Sequence, residues 1–191
     1  MHIKFFKKYY FIEKFNKSNI DKQTKNTTII YRNYKKKYIE DEIIFIREYC
    51  KKKKLKFILS NNVKLSLKLN LDGAYIPSFN NEYSHLSYLM KREFILMGSA
   101  HNLKQIRVKE KQKVRKIFIS SVFKHNKNYL GLNRFKLISK LSKIQIVALG
   151  GISKSNQKLI NLTKSTGISG ISYFEWKKKA PKKEAFLLSI I

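Results

Sequence analysis

Acidic residues are scarce in this chain. Twelve Asp and Glu face 42 Lys and Arg over 191 residues, a formal net charge of +30. A site made of paired carboxylates, or of several oxygen anions around a divalent ion, has little to draw on. Cysteine occurs once, at Cys50, which excludes an internal disulfide and a zinc-thiolate site. No pair of histidines flanks it at metal-ligand spacing, so a buried packing role in a reducing, cytoplasmic setting is expected. No apolar run approaches the roughly 18 residues that a membrane-spanning helix needs. The basic start, Met1 to Lys8, carries an apolar run too short for a signal peptide. Arginine is scarce as well, six against 36 lysines. Bidentate reading of base edges favours Arg, and the lysines spread through every predicted helix without clustering on one. Compositional drift accounts for such a charge without a ligand. A general attraction for anionic metabolites and a basic nucleic-acid-binding module remain as alternatives.

What is present is enough apolar material for a core. Hydrophobic residues make up 43% and aromatics 13%, which favours a folded globular protein, and the length suits one domain over residues 1–191. Short β-branched and aromatic runs recur along the whole chain. They include Tyr9-Tyr10-Phe11-Ile12, Thr27-Thr28-Ile29-Ile30-Tyr31, Lys56-Phe57-Ile58-Leu59, Asp72-Gly73-Ala74-Tyr75-Ile76 and residues 94–97. Residues 116–119, 144–149 and 166–172 complete the set. Helical patterns lie between them. Residues 39–54 open with Glu40-Asp41-Glu42 and close on Lys51 to Lys54, complementing a helix dipole. Asn62 and Asn102 are placed to cap helices over 63–69 and 103–113. Residues 83–92 and 132–141 read as helices, 16–26 as a short connecting one, and a proline opens a further candidate over 181–191. Eight strand candidates in strict alternation predict an α/β fold, a compact (β/α)8 TIM barrel with short helices. A doubly wound open sheet is the rival.

The unit from Lys143 to Ser172 is the most informative. A strand breaks at Gly150-Gly151, a polar segment Ser153-Lys154-Ser155-Asn156 leads into Leu159-Ile160-Leu162, and Gly167-Ile168-Ser169-Gly170-Ile171-Ser172 follows. Glycine turns at the ends of neighbouring parallel strands present backbone N–H groups suited to a phosphate, and barrels bind phosphate after strands seven and eight. Tight turning alone would also explain the glycines. The other predicted strand ends collect Arg32 and Tyr34, Asn61 and Asn62, Pro77 to Asn80, Ser99 and His101, and Ser120 to His125. The set is small and polar, with no carboxylate nearer than Glu82. It suits the binding of anions and heterocycles. Asn61 or Asn62 could be caps, His101 a hydrogen-bonded structural histidine, and His125 a solvated one. An Arg at the end of an apolar strand calls for an anion.

In order, these strand ends resemble the thiamine-phosphate synthase and thiazole tautomerase superfamily, from about Ile29 to Ser172. Ile30-Tyr31-Arg32-Asn33-Tyr34 is similar to a strand-two motif that grips a pyrimidine diphosphate. Ser60-Asn61-Asn62 and Asp72-Gly73-Ala74-Tyr75-Ile76 resemble its third and fourth strand ends. Met97-Gly98-Ser99-Ala100-His101 is similar to its Ser-x-His pattern, and Ser120-Ser121-Val122-Phe123 to its strand-six end. The resemblance implies a barrel that joins aminopyrimidine methyl diphosphate to thiazole phosphate, releasing pyrophosphate with Mg2+. It implies Arg32, Ser99 and Lys127 as catalytic groups, and Tyr34, Asn61, His101, Ser120, Ser121 and His125 around the substrates. Gly150, Gly151, Gly170, Ile171 and Ser172 would hold the thiazole phosphate. The family's metal-binding Asp positions fall on Asn61 and Asn80, which implies a weakened Mg2+ site. Tyr34 stands where the family has Lys, Lys127 lies one place from another lost cation, and Ser121 replaces the tautomerase histidine. A catalytically degenerate barrel that binds thiazole phosphate is the alternative implied by these departures.

Overall fold

The computed structural model describes residues 6–35 and 39–175. Eight parallel strands close into a barrel in chain order, β1 pairing with both β2 and β8. The strands are β1 Lys7–Ile12, β2 Thr27–Tyr31, β3 Lys56–Ser60, β4 Gly73–Ile76, β5 Ile95–Ala100, β6 Lys116–Ile119, β7 Gln145–Leu149 and β8 Gly167–Gly170. Helices α1 Lys17–Asp21, α2 Glu40–Lys52, α3 Val63–Lys68, α4 Leu103–Lys111, α5 Gly131–Leu141 and α6 Gln157–Ile160 connect them. The closed barrel replaces the open sheet as the outcome of the alternating pattern.

Strand periodicity divides the core into two shells. Residues facing inward, Tyr9, Phe11, Ile30, Ile58, Tyr75, Met97, Phe118 and Val147, fill the barrel axis. Four of them form an edge-to-face aromatic plug: Tyr9 with Phe118 at 5.0 Å between centroids, Phe11 with Tyr75 at 5.2 Å, and Tyr75 with Phe118 at 5.4 Å. Such pairs add about 1 kcal/mol each beyond the area they bury. Residues one step away, Tyr10, Ile12, Ile29 and Tyr31, face outward and pack on Ile20, Ile43, Ile46 and Cys50 of the helices. Cys50 is fully buried, and burial, aided by the charge of Asp72, pushes its thiol up to about 12.

Local chemistry explains the helix starts. Asn16, Asn62 and Asn102 each accept from the N–H three residues on, at 3.0, 2.9 and 2.9 Å. The helix expected over 83–92 is reduced to one 3-10 turn, Ser84–Ser87. The Ser87 hydroxyl bonds back to the Ser84 carbonyl at 2.8 Å, Leu86 is exposed and Leu89 is 99% exposed, so no apolar stripe remains to dock. The fifth strand runs three residues further than expected, to Ala100, which places Ser99 within the strand. Helix α4 ends two residues early, at Lys111, because Lys113 adopts a positive φ of 56°. The helix expected over 181–191 lies outside the described residues. No helix among the described residues is long and apolar enough to cross a membrane.

Candidate active site

The C-terminal strand ends form one mouth above the aromatic plug. Arg32, just past β2, lays its guanidinium over the Phe11 ring, 4.8 Å from the centroid. That contact holds the charge at the floor of the mouth, and among the described residues no side chain or carbonyl accepts a hydrogen bond from its guanidinium. Ser99 of β5 meets the Tyr75 hydroxyl from the side, and burial holds that phenol far above its usual range. Tyr34 reaches across to β3, its hydroxyl 2.8 Å from Ser60 Oγ and its ring edge-on to Phe79 at 5.4 Å. Arg32, Tyr34, Ser99 and Tyr75 thus share one side of the mouth.

On the neighbouring strands, His101 Nδ1 lies 2.9 Å from the Ser120 carbonyl and 3.1 Å from Ser120 Oγ. A carbonyl only accepts, so Nδ1 is the donor in that bond. The histidine is therefore oriented by its neighbour, as a hydrogen-bonded histidine should be. Ser121 is turned into its own loop: its hydroxyl donates to the Lys124 carbonyl at 2.8 Å, and its N–H and carbonyl bond Asn128 and Leu130. His125 and Lys127 are exposed, and His125 stacks on Tyr129 with centroids 4.0 Å apart. The structure does not join Lys127 to Arg32 or Ser99.

The glycine turns are built by close approach. Val122 N–H bonds the Leu149 carbonyl at 3.0 Å and Phe123 N–H bonds the Gly150 carbonyl at 2.9 Å, so the chain after β6 runs on alongside β7. A Cβ on Gly150 would come within 2.5 Å of Ser121 Oγ, and one on Gly151 within 2.4 Å of the Lys124 nitrogen. Both glycines have positive φ, 97° and 72°, open to glycine at no steric cost. Leu149 lies in register with Ser169, which sets Gly150-Gly151 beside Gly170-Ile171-Ser172 on adjacent strands. Among the described residues, none of the N–H groups of Gly151, Ile152, Ile171 and Ser172 donates a hydrogen bond. Four N–H groups on two abutting turns, unbonded among the described residues, are of the kind that suits an anion.

Three contributors escaped the sequence reading. Asn156 stitches the first turn, its Nδ2 donating to the Gly151 carbonyl at 2.9 Å and its Oδ1 accepting from Ser153 N–H at 2.8 Å. Tyr173 donates to Gln157 Oε1 at 2.7 Å and so ties the turn after β8 to the foot of α6. An Asn five residues after a Gly-Gly pair was the available signal for the first. Nothing local marks the other two.

At the corner between β3 and β4 two neutral amides face each other, with Glu82 and Lys64 on the same rim. Asn61, at φ 58°, accepts from Asn80 Nδ2 through its Oδ1 at 2.8 Å, and Asn80 Oδ1 accepts from Glu82 N–H at 2.9 Å. Beneath them lies Lys109, fully buried and, among the described residues, ion-paired with no carboxylate. Its ammonium donates to the Asn80 carbonyl at 2.7 Å and to Gln112 Oε1 at 2.8 Å, and burial pushes it down to about 8. Mg2+ is ordinarily held by one or two carboxylates in an octahedron of oxygens. Two neutral amides, with both carbonyl oxygens already accepting hydrogen bonds, do not fit a resident Mg2+.

With this geometry in hand, comparison with known proteins is decisive at one point. A sequence profile described as thiamine monophosphate synthase matches residues 19–174. The chain belongs to the thiamine monophosphate synthase family. A homologue in Aquifex aeolicus, named as a second thiamine-phosphate synthase, is 30% identical over 136 residues, covering 68% of this chain and 71% of that protein. The thiamine-phosphate synthase of Prochlorococcus marinus is 29% identical over 153 residues, covering 77% of this chain and 43% of that protein. Among solved structures, the thiamine phosphate pyrophosphorylase of Pyrococcus furiosus superposes with a TM-score of 0.69 at 21% identity. That match covers 87% of this chain and 85% of that one. The same barrel recurs in the N-(5'-phosphoribosyl)anthranilate isomerase of Pyrococcus furiosus, at a TM-score of 0.57 and 13% identity. As a family member, the chain shares the closed eight-stranded barrel of its relative from Pyrococcus furiosus.

Proposed function

We propose that this barrel is a cytoplasmic transferase of thiamine biosynthesis. It holds a phosphorylated thiazole on Gly150-Gly151 and Gly170-Ile171-Ser172 and an aminopyrimidine methyl diphosphate over Arg32 and Ser99. The observation that carries this reading is the pair of abutting turns with four unbonded N–H groups. Family membership supplies the substrate classes. In the reaction, a thiazole nitrogen forms a bond to the pyrimidine methylene carbon as the carbon–oxygen bond to the diphosphate breaks. The electron pair departs on pyrophosphate, so charge must be neutralised where that group leaves. Arg32, fixed over Phe11, is placed for it. Ser99 and the oriented His101 supply hydrogen bonds to the pyrimidine side, and Tyr34 and Phe79 wall the ring. Ser120 and Ser121 shape the edge below the loop after β6, and Lys127 and His125, exposed on that loop, would have to fold inward to meet the released anion.

The test is formation of thiamine phosphate from the two substrates. Arg32→Ala should lower the rate about a hundredfold or more. A second reading is favoured by the two neutral amides, Asn61 and Asn80: a barrel that grips thiazole phosphate without turnover. Calorimetric affinity for thiazole phosphate with no product would establish it. Binding to nucleic acid with a steep salt slope that Gly151→Asp leaves unchanged would set both aside.

A further inference from the structure

The loop after β4 is locked from below, and the lock carries a charge. Gln112, fully buried, donates through Nε2 to the carbonyls of Asn80 at 3.1 Å and Glu82 at 2.7 Å, and its own carbonyl lies 2.9 Å from His85 Nε2. Lys109 adds the ammonium on Asn80. The stem of Lys109 reaches this position by passing Gly98, where a Cβ would stand 2.9 Å from its Cδ. Asn61 is fixed in turn by its N–H on the Tyr75 carbonyl at 2.7 Å. Every backbone and side-chain polar group of Asn80 is thereby engaged: N–H to Pro77, carbonyl to Lys109 and Gln112, Oδ1 to Glu82, Nδ2 to Asn61.

A bridging divalent ion in such a corner would do two things, join two loops and place positive charge beside a diphosphate. Here the amide bond between Asn61 and Asn80 does the first. The Lys109 ammonium, one carbonyl away and, among the described residues, ion-paired with no carboxylate, does the second. We propose that Lys109, acting through Asn80, is a built-in cation and positioning residue that replaces the divalent ion, so that this corner binds the diphosphate group without metal. The inference rests on the family reading of the mouth, and its test needs no turnover.

The experiment uses the full chain, inorganic pyrophosphate and Mg2+ alone. Thermal melting of the wild type should be the same in millimolar Mg2+ and in chelator. Asn61→Asp/Asn80→Asp should melt lower in chelator and recover with Mg2+. Calorimetry in chelator should show pyrophosphate binding to the wild type, weakened at least about tenfold in Lys109→Met by loss of a nearby unit charge, and restored in part in Lys109→Arg. The restoration separates charge from packing. If Lys109→Met fails to fold, the wild-type melts and the Asp pair still decide. Stabilisation of the wild type by Mg2+, or no pyrophosphate binding without it, overturns the proposal. Absence of thiamine phosphate formation, with these results as expected, overturns the synthase reading alone.

Discussion

Replacing Gly151 with Ala tests the glycine turn most directly. The new Cβ would sit 2.4 Å from the Lys124 nitrogen and 2.7 Å from the Phe123 carbonyl carbon, both backbone atoms that no rotamer change can move away. Ordinary contact would require the 122–124 segment to shift by about 1 Å, against its bonds to Leu149 and Gly150. A φ of 72° adds about 1 kcal/mol for a residue with a Cβ. Overpacking of this kind costs about 1–3 kcal/mol, so the total is about 2–4 kcal/mol. Gly170→Ala is the internal control: its Cβ would meet only Tyr173 Cβ at 3.7 Å, with no positive φ, so stability should change by less than about 1 kcal/mol. Urea denaturation with unchanged m-values measures both, and calorimetry with thiazole phosphate measures the site. If Gly151→Ala costs under 1 kcal/mol and binds normally, or if Gly170→Ala is equally harmful, the close-approach argument is refuted.

Three further outcomes are expected. Lys109 has a folded-state value near 8, below its unfolded 10.5, so the unfolded chain binds more protons between those values and stability should rise across that window. The wild type minus Lys109→Met difference in urea stability should climb by up to about 3 kcal/mol from pH 8 to 10.5, and a flat difference would refute the buried charge. Cys50, buried and raised to about 12, should react with a thiol reagent only as fast as the fold opens; rapid native labelling would contradict its burial. Asn156→Ala removes both stitches of the glycine turn and should weaken thiazole phosphate binding about tenfold while melting stays cooperative.

Features settled by local chemistry could be read before any coordinates. Period-two runs such as Tyr9 to Ile12 place alternate residues on the axis and against the helices, and asparagine caps announce helix starts. Gly150-Gly151 is legible because only glycine turns so sharply after a buried strand. What escaped depends on partners distant in sequence. Lys109 is one lysine among 36, and its burial follows from Gly98 and a loop some thirty positions earlier in the chain. The Asn61–Asn80 bond joins two strand ends whose registers the sequence does not reveal. Residues 83–92 show apolar spacing, yet Leu86 and Leu89 face outward and the segment docks through His85, bonded to the Gln112 carbonyl, so the spacing goes unused.

The pairing of Val122 and Phe123 with the end of β7 has a dynamic corollary. A phosphomonoester settling on Gly151 would brace the chain beyond Phe123, and through Ser121 its clamp on Asn128 and Leu130. Amide exchange should therefore slow along 122–130 on ligand addition, including at residues that never touch the ligand. The basic stretch bearing His125 and Lys127 would stiffen once the first substrate is seated, giving the barrel an order of binding written into one short strand extension.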